Sequence, residues 1–244
     1  MNAAVDVPGF DQFVRTTVDQ LGSNPGVVSL QVTDEANVAG APNASDGYYP
    51  GADDALINGV IAGANERNAD HFGQLKIGFN WAATGSSATS FWSYLGQHGG
   101  AAFVNAVDWV GIDAYPGTWG PPLASGLSLG DAITQATVQA LSATRQTEMP
   151  LARIPASVPI HVSESGYPTG PGRTDAMQVT ALQAEVQSVV DYSATYNVNG
   201  YRWFDLRDAD SASTSFEDQY GLMTDNYTPK PAFAVYQQLV ASLS

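Results

Sequence analysis

Apolar residues recur along this chain in two alternating patterns. One has helical spacing, as in Phe10, Val14, Val18 and Leu21, which lie three or four residues apart. The other is a short run rich in β-branched residues, such as residues 27–33, which indicates a buried strand. Because parallel strands need a crossover connection, usually a helix, the alternation of the two patterns predicts a parallel α/β fold.

The two patterns place five strands and six helices along the chain. No internal repeat, linker or low-complexity tract interrupts them, so residues 1–244 are predicted to form a single domain. The predicted strands are 27–33, 75–80, 107–113, 158–164 and 200–206, and the predicted helices are 10–21, 56–64, 90–103, 133–145, 177–196 and 231–243.

The number of strands suggests part of a larger fold. A closed (β/α)8 barrel, the TIM barrel, needs eight strands, and five are predicted here. One helix precedes the first strand, so we expect strands 4–8 of a barrel that is entered at the helix after strand three. Five strands alone would leave two exposed parallel edges. We therefore expect a fragment or a mis-assigned start, and a smaller natural α/β sheet is the alternative.

Two glutamates follow buried runs at the ends of predicted strands. Glu35 follows strand 27–33, and Glu164 is the last residue of strand 158–164. The carboxyl ends of the strands form the catalytic face of (β/α)8 barrels. Two carboxylates on different strands of that face suggest an acid/base and a nucleophile for cleavage of a glycosidic bond. The alternative is a pair of ordinary carboxylates that cap helices or pair with arginine.

Composition narrows the range of partners. Nine Lys and Arg against 24 Asp and Glu give a net charge of −15, which argues against nucleic acid and an anionic membrane as partners. No segment approaches the roughly 20 apolar residues of a membrane helix. The chain has no cysteine, and its three histidines form no metal-binding motif, so no metal and no cofactor are expected.

Three sequence segments carry a resemblance to a known group of enzymes. Segment 162–169 (VSESGYPT) resembles the nucleophile segment of plant-type β-1,3-glucanases, and segment 113–116 (DAYP) resembles strand six of clan A glycoside hydrolases. Segment 201–208 (YRWFDLRD) is similar to strand eight of actinobacterial glycosidase-like proteins. The similarity extends over nearly the whole chain and marks it as similar to clan A retaining glycoside hydrolases.

The resemblance implies specific roles for several residues. Glu35 would be the general acid/base on strand four, and Glu164 the nucleophile on strand seven. The hydroxyl of Tyr115 would donate a hydrogen bond to that nucleophile, and Trp203 would stack beneath the sugar. The implied activity is the retaining hydrolysis of O-glycosidic bonds in a β-linked oligo- or polysaccharide by double displacement, without a cofactor.

Further residues near the carboxyl ends of the predicted strands, the mouth of the barrel, suit a sugar site. Flat aromatic rings match pyranose faces, and amides or carboxylates bind hydroxyl groups. Core packing is the alternative for the aromatic residues, and a structural ion pair is the alternative for Arg207. Trp92 and Trp109 are predicted to lie in the core. The expected substrate-binding residues are Asp34, Asn37, Asn80, Trp81, Tyr115, Trp119, Tyr167, Trp203 and Arg207.

The chain departs from the clan A pattern at one position. Clan A enzymes have Asn before the acid/base, whereas this chain has Asp34, which accepts hydrogen bonds but donates none when ionised. A non-catalytic carbohydrate-binding or defence-related protein on the same scaffold is therefore the main alternative. A barrel enzyme of other chemistry would need an essential Lys, His or metal at the mouth. We expect the full-length protein to be secreted, and the sequence does not indicate an oligomeric state.

Overall fold

The computed structural model describes residues 6–42, 44–83, 88–120 and 122–243. Within these ranges the strands are Ser29–Gln31 (β1), Lys76–Ala82 (β2), Trp109–Ala114 (β3), Ile160–Ser165 (β4) and Val198–Tyr201 (β5). The helices are Val7–Leu21 (α1), Ala52–Ala69 (α2), Ala88–His98 (α3), Gly100–Ala106 (α4), Leu129–Ala143 (α5), Met149–Leu151 (α6), Asp175–Tyr196 (α7) and Pro231–Leu243 (α8).

The five strands form one sheet in chain order, β1-β2-β3-β4-β5. β1 pairs in parallel with β2, and β2 pairs in parallel with β3. Helices stand between consecutive strands, as the crossover between parallel neighbours requires. The predicted parallel α/β class is confirmed.

The chain packs as two compact units. The first comprises Met1–Asp113 and Ser142–His161, and the second comprises Ala114–Leu141 and Val162–Ser244. In the first unit α1 packs on α2, and every residue of β2 after Lys76 is buried, as expected for a strand covered on both faces. Its core includes Trp92 and Trp109, so their predicted core positions are confirmed.

The core of the second unit lies between α7 and α8. Ala181, Leu182 and Val186 of α7 belong to the same buried cluster as Ala232 of α8 and Leu222. Thr174 caps α7 by accepting a hydrogen bond from the backbone N–H of Met177 at 3.2 Å. These contacts anchor α7, which also packs against β5.

The first predicted strand is shorter in the structure than its apolar run. β1 covers Ser29–Gln31, whereas residues 27–33 were predicted. Val32 N still donates to Gly78 O of β2 at 2.9 Å, whereas Asp34 N donates to Asp46 Oδ2 and Glu35 N donates to Asn80 Oδ1, both at 2.9 Å. A side-chain acceptor therefore takes the place of the neighbouring strand.

Two further boundaries differ from the prediction. The predicted helix 90–103 is two helices, α3 and α4, because Gly100 adopts a positive φ of 61° at their junction. The last strand is Val198–Tyr201 instead of 200–206, although the N–H groups of Arg202 and Phe204 still donate to Val162 and Ser165 carbonyls. No helix within the described ranges is long and apolar enough to cross a membrane.

Candidate functional site

In the first unit, one buried amide connects the ends of three strands. Asn80 of β2 is fully buried; its Nδ2 donates to Asp34 Oδ1 at 2.9 Å and also to Asp113 Oδ2. Its Oδ1 accepts the backbone N–H of Glu35. Because Asp34 and Glu35 follow β1 and Asp113 belongs to β3, this single side chain holds the ends of β1, β2 and β3 in register.

Glu35 has an unusual backbone conformation. Its φ is 44°, in the left-handed region that residues other than glycine rarely adopt. Such a conformation costs on the order of 1–3 kcal/mol and persists where surrounding contacts enforce it. The hydrogen bond from Glu35 N to Asn80 and the bond from Val38 N to Glu35 O at 2.9 Å are two such contacts. Backbone strain of this kind is frequent at functional sites.

The contacts of Asp34 explain why an aspartate suits this position. Its Oδ1 accepts hydrogen bonds from the amide groups of Asn80 at 2.9 Å and Gln31 at 3.3 Å. A carboxylate supplies acceptors alone, and ionised acceptors make stronger bonds than neutral ones. Asp34 therefore has a structural role here that an asparagine would fill less well.

Asn37 and Trp81 contact protein groups in this unit. The Asn37 side chain donates to Ala82 O and accepts from Ala82 N, both at 2.9 Å, so its amide behaves like an extra strand residue beside β2. Trp81 is 3% exposed and packs edge to face on Trp92, with ring centroids 5.6 Å apart. Trp81 thus has the core packing given as its alternative, and the predicted contacts of Asn37 and Trp81 with substrate stay predictions.

In the second unit, Glu164 lies near the end of β4 and accepts a hydrogen bond from a tyrosine. Tyr115 follows β3, is mostly buried, and donates its hydroxyl to Glu164 Oε2 at 2.6 Å. Hydrogen bonds of this length to an ionised carboxylate are about twice as strong as neutral ones. The sequence resemblance implied this bond, and the structure contains it.

An aromatic cluster surrounds Tyr115. Trp119, Tyr220 and Phe204 lie with ring centroids 4.8, 5.5 and 6.1 Å from that of Tyr115. Trp119 is 41% exposed and Phe204 is 37% exposed, which is high for large aromatic side chains. Sequence reasoning missed Phe204 and Tyr220, although Phe204 lies in segment 201–208, which carried the resemblance.

Three other predicted substrate residues have protein partners in this unit. Tyr167 and Trp203 belong to its hydrophobic core, and Trp203 Nε1 donates to Tyr220 O at 3.3 Å. Arg207 donates to Asp225 O at 2.9 Å and its guanidinium lies 5.2 Å from the ring centroid of Tyr227. The predicted roles of these residues toward a sugar remain predictions.

A buried carboxyl lies behind β4, on helix α7. Glu185 is fully buried, and its Oε2 accepts hydrogen bonds from Ser165 Oγ and, at 3.0 Å, from Tyr201 Oη. Burial raises the pKa of Glu185 from 4.5 to about 7, and the two hydroxyl donors oppose part of this rise. The sequence pattern of α7 offered no sign that this glutamate faces inward.

Replacement of Glu185 by Gln is expected to change how stability depends on pH. Between about pH 4.5 and 7 the folded chain retains a proton that the unfolded chain releases, so rising pH lowers wild-type stability across this window. Relative to the wild type, Glu185→Gln should therefore gain roughly 3 kcal/mol of unfolding free energy between pH 4 and pH 8. Urea denaturation at a series of pH values measures this difference.

The informative quantity is the difference in unfolding free energy between Glu185→Gln and the wild type, because other groups also titrate in this pH range. Burial and the charge of Asp54 raise the pKa of Asp53 to about 6, so the wild-type profile combines several groups. The exposed Glu217 provides a matched control, because Glu217→Gln makes the same chemical change outside the buried site. A difference for Glu185→Gln that stays flat with pH would contradict the assignment.

Asn80→Asp is expected to destabilise the fold by about 3 kcal/mol. The change keeps the shape of the side chain but replaces the amide donor with an acceptor that faces the carboxylates of Asp34 and Asp113. Chemical denaturation at pH 7 measures the loss. The exposed Asn58 on α2 is the matched control, and Asn58→Asp should change stability by less than about 0.5 kcal/mol. Equal effects at the two positions would refute a bridging role for Asn80.

Comparison with known proteins shows which solved structures share the fold of this chain. The sequence matches no protein-family model and no curated protein. Among solved structures it resembles a β-glucuronidase of Faecalibacterium prausnitzii at 14% identity and a TM-score of 0.64, covering 98% of this chain and 35% of that one. It also resembles β-glucuronidases of an uncultured Clostridium species and of Dictyoglomus thermophilum, each at 14% identity with a TM-score of 0.63 and 96% of this chain covered.

These similarities concern the fold. The chain spans about a third of the length of the structures it matches, namely 36% of the Clostridium protein and 35% of the Dictyoglomus protein. At this identity the comparison establishes architecture, while activity depends on individual side chains. The predicted fold class is confirmed: the chain has the α/β fold of a partial (β/α)8 barrel of the kind found in glycoside hydrolases.

Proposed function

We propose that this chain is, or is part of, a retaining glycoside hydrolase that cleaves β-linked glycans. The observation that carries the proposal is the 2.6 Å hydrogen bond from Tyr115 to Glu164 near the carboxyl end of β4. A nucleophilic carboxylate must be ionised and held in one orientation, and a hydroxyl donor does both. The glycosidase-type fold and the resemblance of segment 162–169 to a nucleophile segment support the same activity.

The proposed reaction has two displacement steps. In the first, a Glu164 carboxylate oxygen attacks the anomeric carbon while Glu35 gives its proton to the departing glycosidic oxygen. In the second, Glu35 takes a proton from water, the water oxygen attacks the same carbon, and the bond to Glu164 breaks. Configuration is inverted twice and therefore retained. The mechanism requires the two carboxyl groups to stand about 5–5.5 Å apart in the working enzyme.

The finer features of the proposal rest on the sequence resemblance. In a clan A-like site, Asp34 would accept a sugar hydroxyl, and Trp119, Tyr167 and Trp203 would offer aromatic faces. Asn37, Asn80, Trp81 and Arg207 would complete the predicted contacts. We also propose that the full-length protein acts on its glycan outside the cell. The solved structures that share the fold are named β-glucuronidases, so β-glucuronides belong in any substrate panel together with β-glucosides.

Covalent trapping tests the proposal directly. The protein is incubated with activated 2-deoxy-2-fluoro β-glycosides, because the fluorine slows the second step more than the first when the leaving group is good. Intact mass spectrometry should show the addition of one glycosyl unit, and peptide mapping should locate it on Glu164. A label on another residue would overturn the assignment. Glycan binding with no label and no turnover would favour the carbohydrate-binding alternative.

A further inference from the structure

Arg173 lies at the edge of the aromatic cluster of the second unit. Its guanidinium carbon is 4.9 Å from the ring centroid of Phe216 and 5.8 Å from that of Tyr167. Cation–π contacts at this distance hold the planar group in place without neutralising its charge. Phe216 in turn contacts Trp119 at 6.2 Å between centroids. A fixed cation therefore stands beside an exposed tryptophan.

The backbone of Arg173 is also fixed. Arg173 N donates to Gly170 O at 2.9 Å, closing a tight turn in which Gly170 and Gly172 adopt φ values of 112° and 76°. Thr174, the next residue, caps helix α7. The position of the guanidinium is thus set by a turn and a helix start as well as by the rings beneath it.

The donor capacity of Arg173 is largely unused within the described residues. The single hydrogen bond of its guanidinium there runs from Nη2 to Gly117 O at 3.4 Å, which is long, and the guanidinium forms no ion pair with the described residues. An arginine has five N–H donors in a planar fork that matches a carboxylate or sulfate group. Nε of Arg173 is buried without a hydrogen-bond partner, so the Nη groups of this stacked, partly buried arginine are the donors suited to bind an anionic group that comes from outside the chain.

The rings beside Arg173 indicate what carries that anion. Trp119 contacts both Phe216 and Tyr115, and Tyr115 donates to Glu164, so a continuous line of contacts runs from the carboxylate to the cation. Exposed tryptophan faces suit the C–H faces of sugar rings. We propose that Arg173 and Trp119 form a subsite for an acidic sugar residue of the glycan, with the guanidinium on its carboxylate or sulfate and the indole against its ring. This inference rests on the proposed function only in taking the ligand to be a glycan.

The proposal is tested by binding measurements that need no turnover. Isothermal titration at 0.15 M salt compares an acidic oligosaccharide with its carboxyl-reduced form, which keeps the same rings and linkages. A sulfated derivative of the reduced form is the third ligand. We expect at least one anionic form to bind about tenfold more tightly than the neutral form. Whichever anion binds tightly identifies the chemistry that Arg173 recognises.

Single-residue variants test whether the preference for anionic ligands depends on Arg173. Arg173→Gln should remove the preference for the anionic form and leave the affinity for the neutral form unchanged, while Arg173→Lys should keep part of the preference because it keeps the charge. Trp119→Ala should weaken all forms. The exposed Arg202 is the matched control, and Arg202→Gln should retain the preference. Urea denaturation confirms that each variant folds.

The possible outcomes separate this inference from the proposed function. Equal binding of all three ligands to the wild type, or an anionic preference that survives in Arg173→Gln, would overturn the acidic subsite even if trapping labels Glu164. Conversely, an Arg173-dependent preference without covalent trapping would support the subsite and refute the proposed hydrolysis.

Discussion

Replacement of Glu164 by Ala should lower kcat for hydrolysis of an aryl β-glycoside by a factor on the order of 10⁵, about 7 kcal/mol of transition-state stabilisation. In the proposed mechanism the Glu164 carboxylate forms the bond to the anomeric carbon, and no other group can take over that bond. The Tyr115 hydroxyl would lose its acceptor at Glu164 Oε2 as well. Steady-state kinetics with a nitrophenyl substrate measure the loss.

Chemical rescue distinguishes a missing nucleophile from a general failure of the enzyme. The cavity left by Glu164→Ala should admit azide or formate, which attacks the anomeric carbon and restores part of the rate. With azide the product is a glycosyl azide of inverted configuration, because a single displacement replaces two. Rescue without inversion would show that Glu164 is not the nucleophile.

The effect of Glu164→Ala is compared with variants of two other glutamates, Glu35 in its proposed acid/base role and Glu66 as a control. Glu35→Ala should reduce kcat/KM strongly for substrates with poor leaving groups but little for dinitrophenyl glycosides, whose leaving group departs in the first step without protonation. Glu66→Gln, on the exposed face of α2, should keep wild-type kinetics because Glu66 makes only a partly exposed ion pair with Arg15. Similar losses in all three variants would contradict the assigned roles.

Replacement of Lys230 by Met is expected to cost about 4 kcal/mol of unfolding free energy. Lys230 Nζ lies 2.7 Å from Asp208 Oδ1 and also donates to Thr169 Oγ1 at 2.8 Å. Both members of the ion pair are almost completely buried. Methionine fills a similar volume but leaves the Asp208 carboxylate buried without its cation. Such a charge is far more costly than the loss of a surface pair.

Three further variants test the cause of this loss: Lys76→Met, Asp208→Asn and the double variant. Lys76→Met removes an exposed lysine and should change stability by less than about 0.5 kcal/mol. The double variant Lys230→Met with Asp208→Asn removes both charges, and it should be less destabilised than the sum of the two single variants. Urea denaturation of the four proteins completes the cycle. Additive effects would show that the two charges do not stabilise each other.

This ion pair organises the segment that follows β5. Asp208 also accepts the backbone N–H of Gly221 and the hydroxyl of Ser211, each at 2.8 Å. The segment between those residues carries Phe216 and Tyr220, which belong to the aromatic cluster near Glu164. A loop of this length has little regular structure of its own, so a buried network fixes its path. Loss of Lys230 should therefore disturb the cluster as well as stability.

Local patterns in the sequence were sufficient for the elements and their order. β2, β3 and β4 lie within two residues of the predicted strands, and α8 begins and ends as predicted. These elements are encoded by the spacing of neighbouring apolar residues, which is a property of short segments. The break inside the predicted helix 90–103 was missed, because the positive φ of Gly100 leaves no mark on the spacing of the apolar residues.

The positions of Glu35 and Glu164 at strand ends were also predictable, since a strand end is a local feature. Their surroundings were not. Asn80 was expected to bind substrate, but it lies 45 residues from Glu35 in sequence and holds that residue's backbone. Nothing in the segment around either residue encodes that contact, because it depends on the register of β1 against β2.

The sequence by itself determined the class of fold, the five strands and the two glutamates that the proposed mechanism uses. Only the tertiary structure decided which polar groups are enclosed and which rings remain exposed. The aromatic cluster around Tyr115, the cation at Arg173 and the buried carboxyl of Glu185 each join residues from distant segments. Apolar periodicity shows which face of an element is buried, but the partner that covers a given side chain depends on how the elements pack.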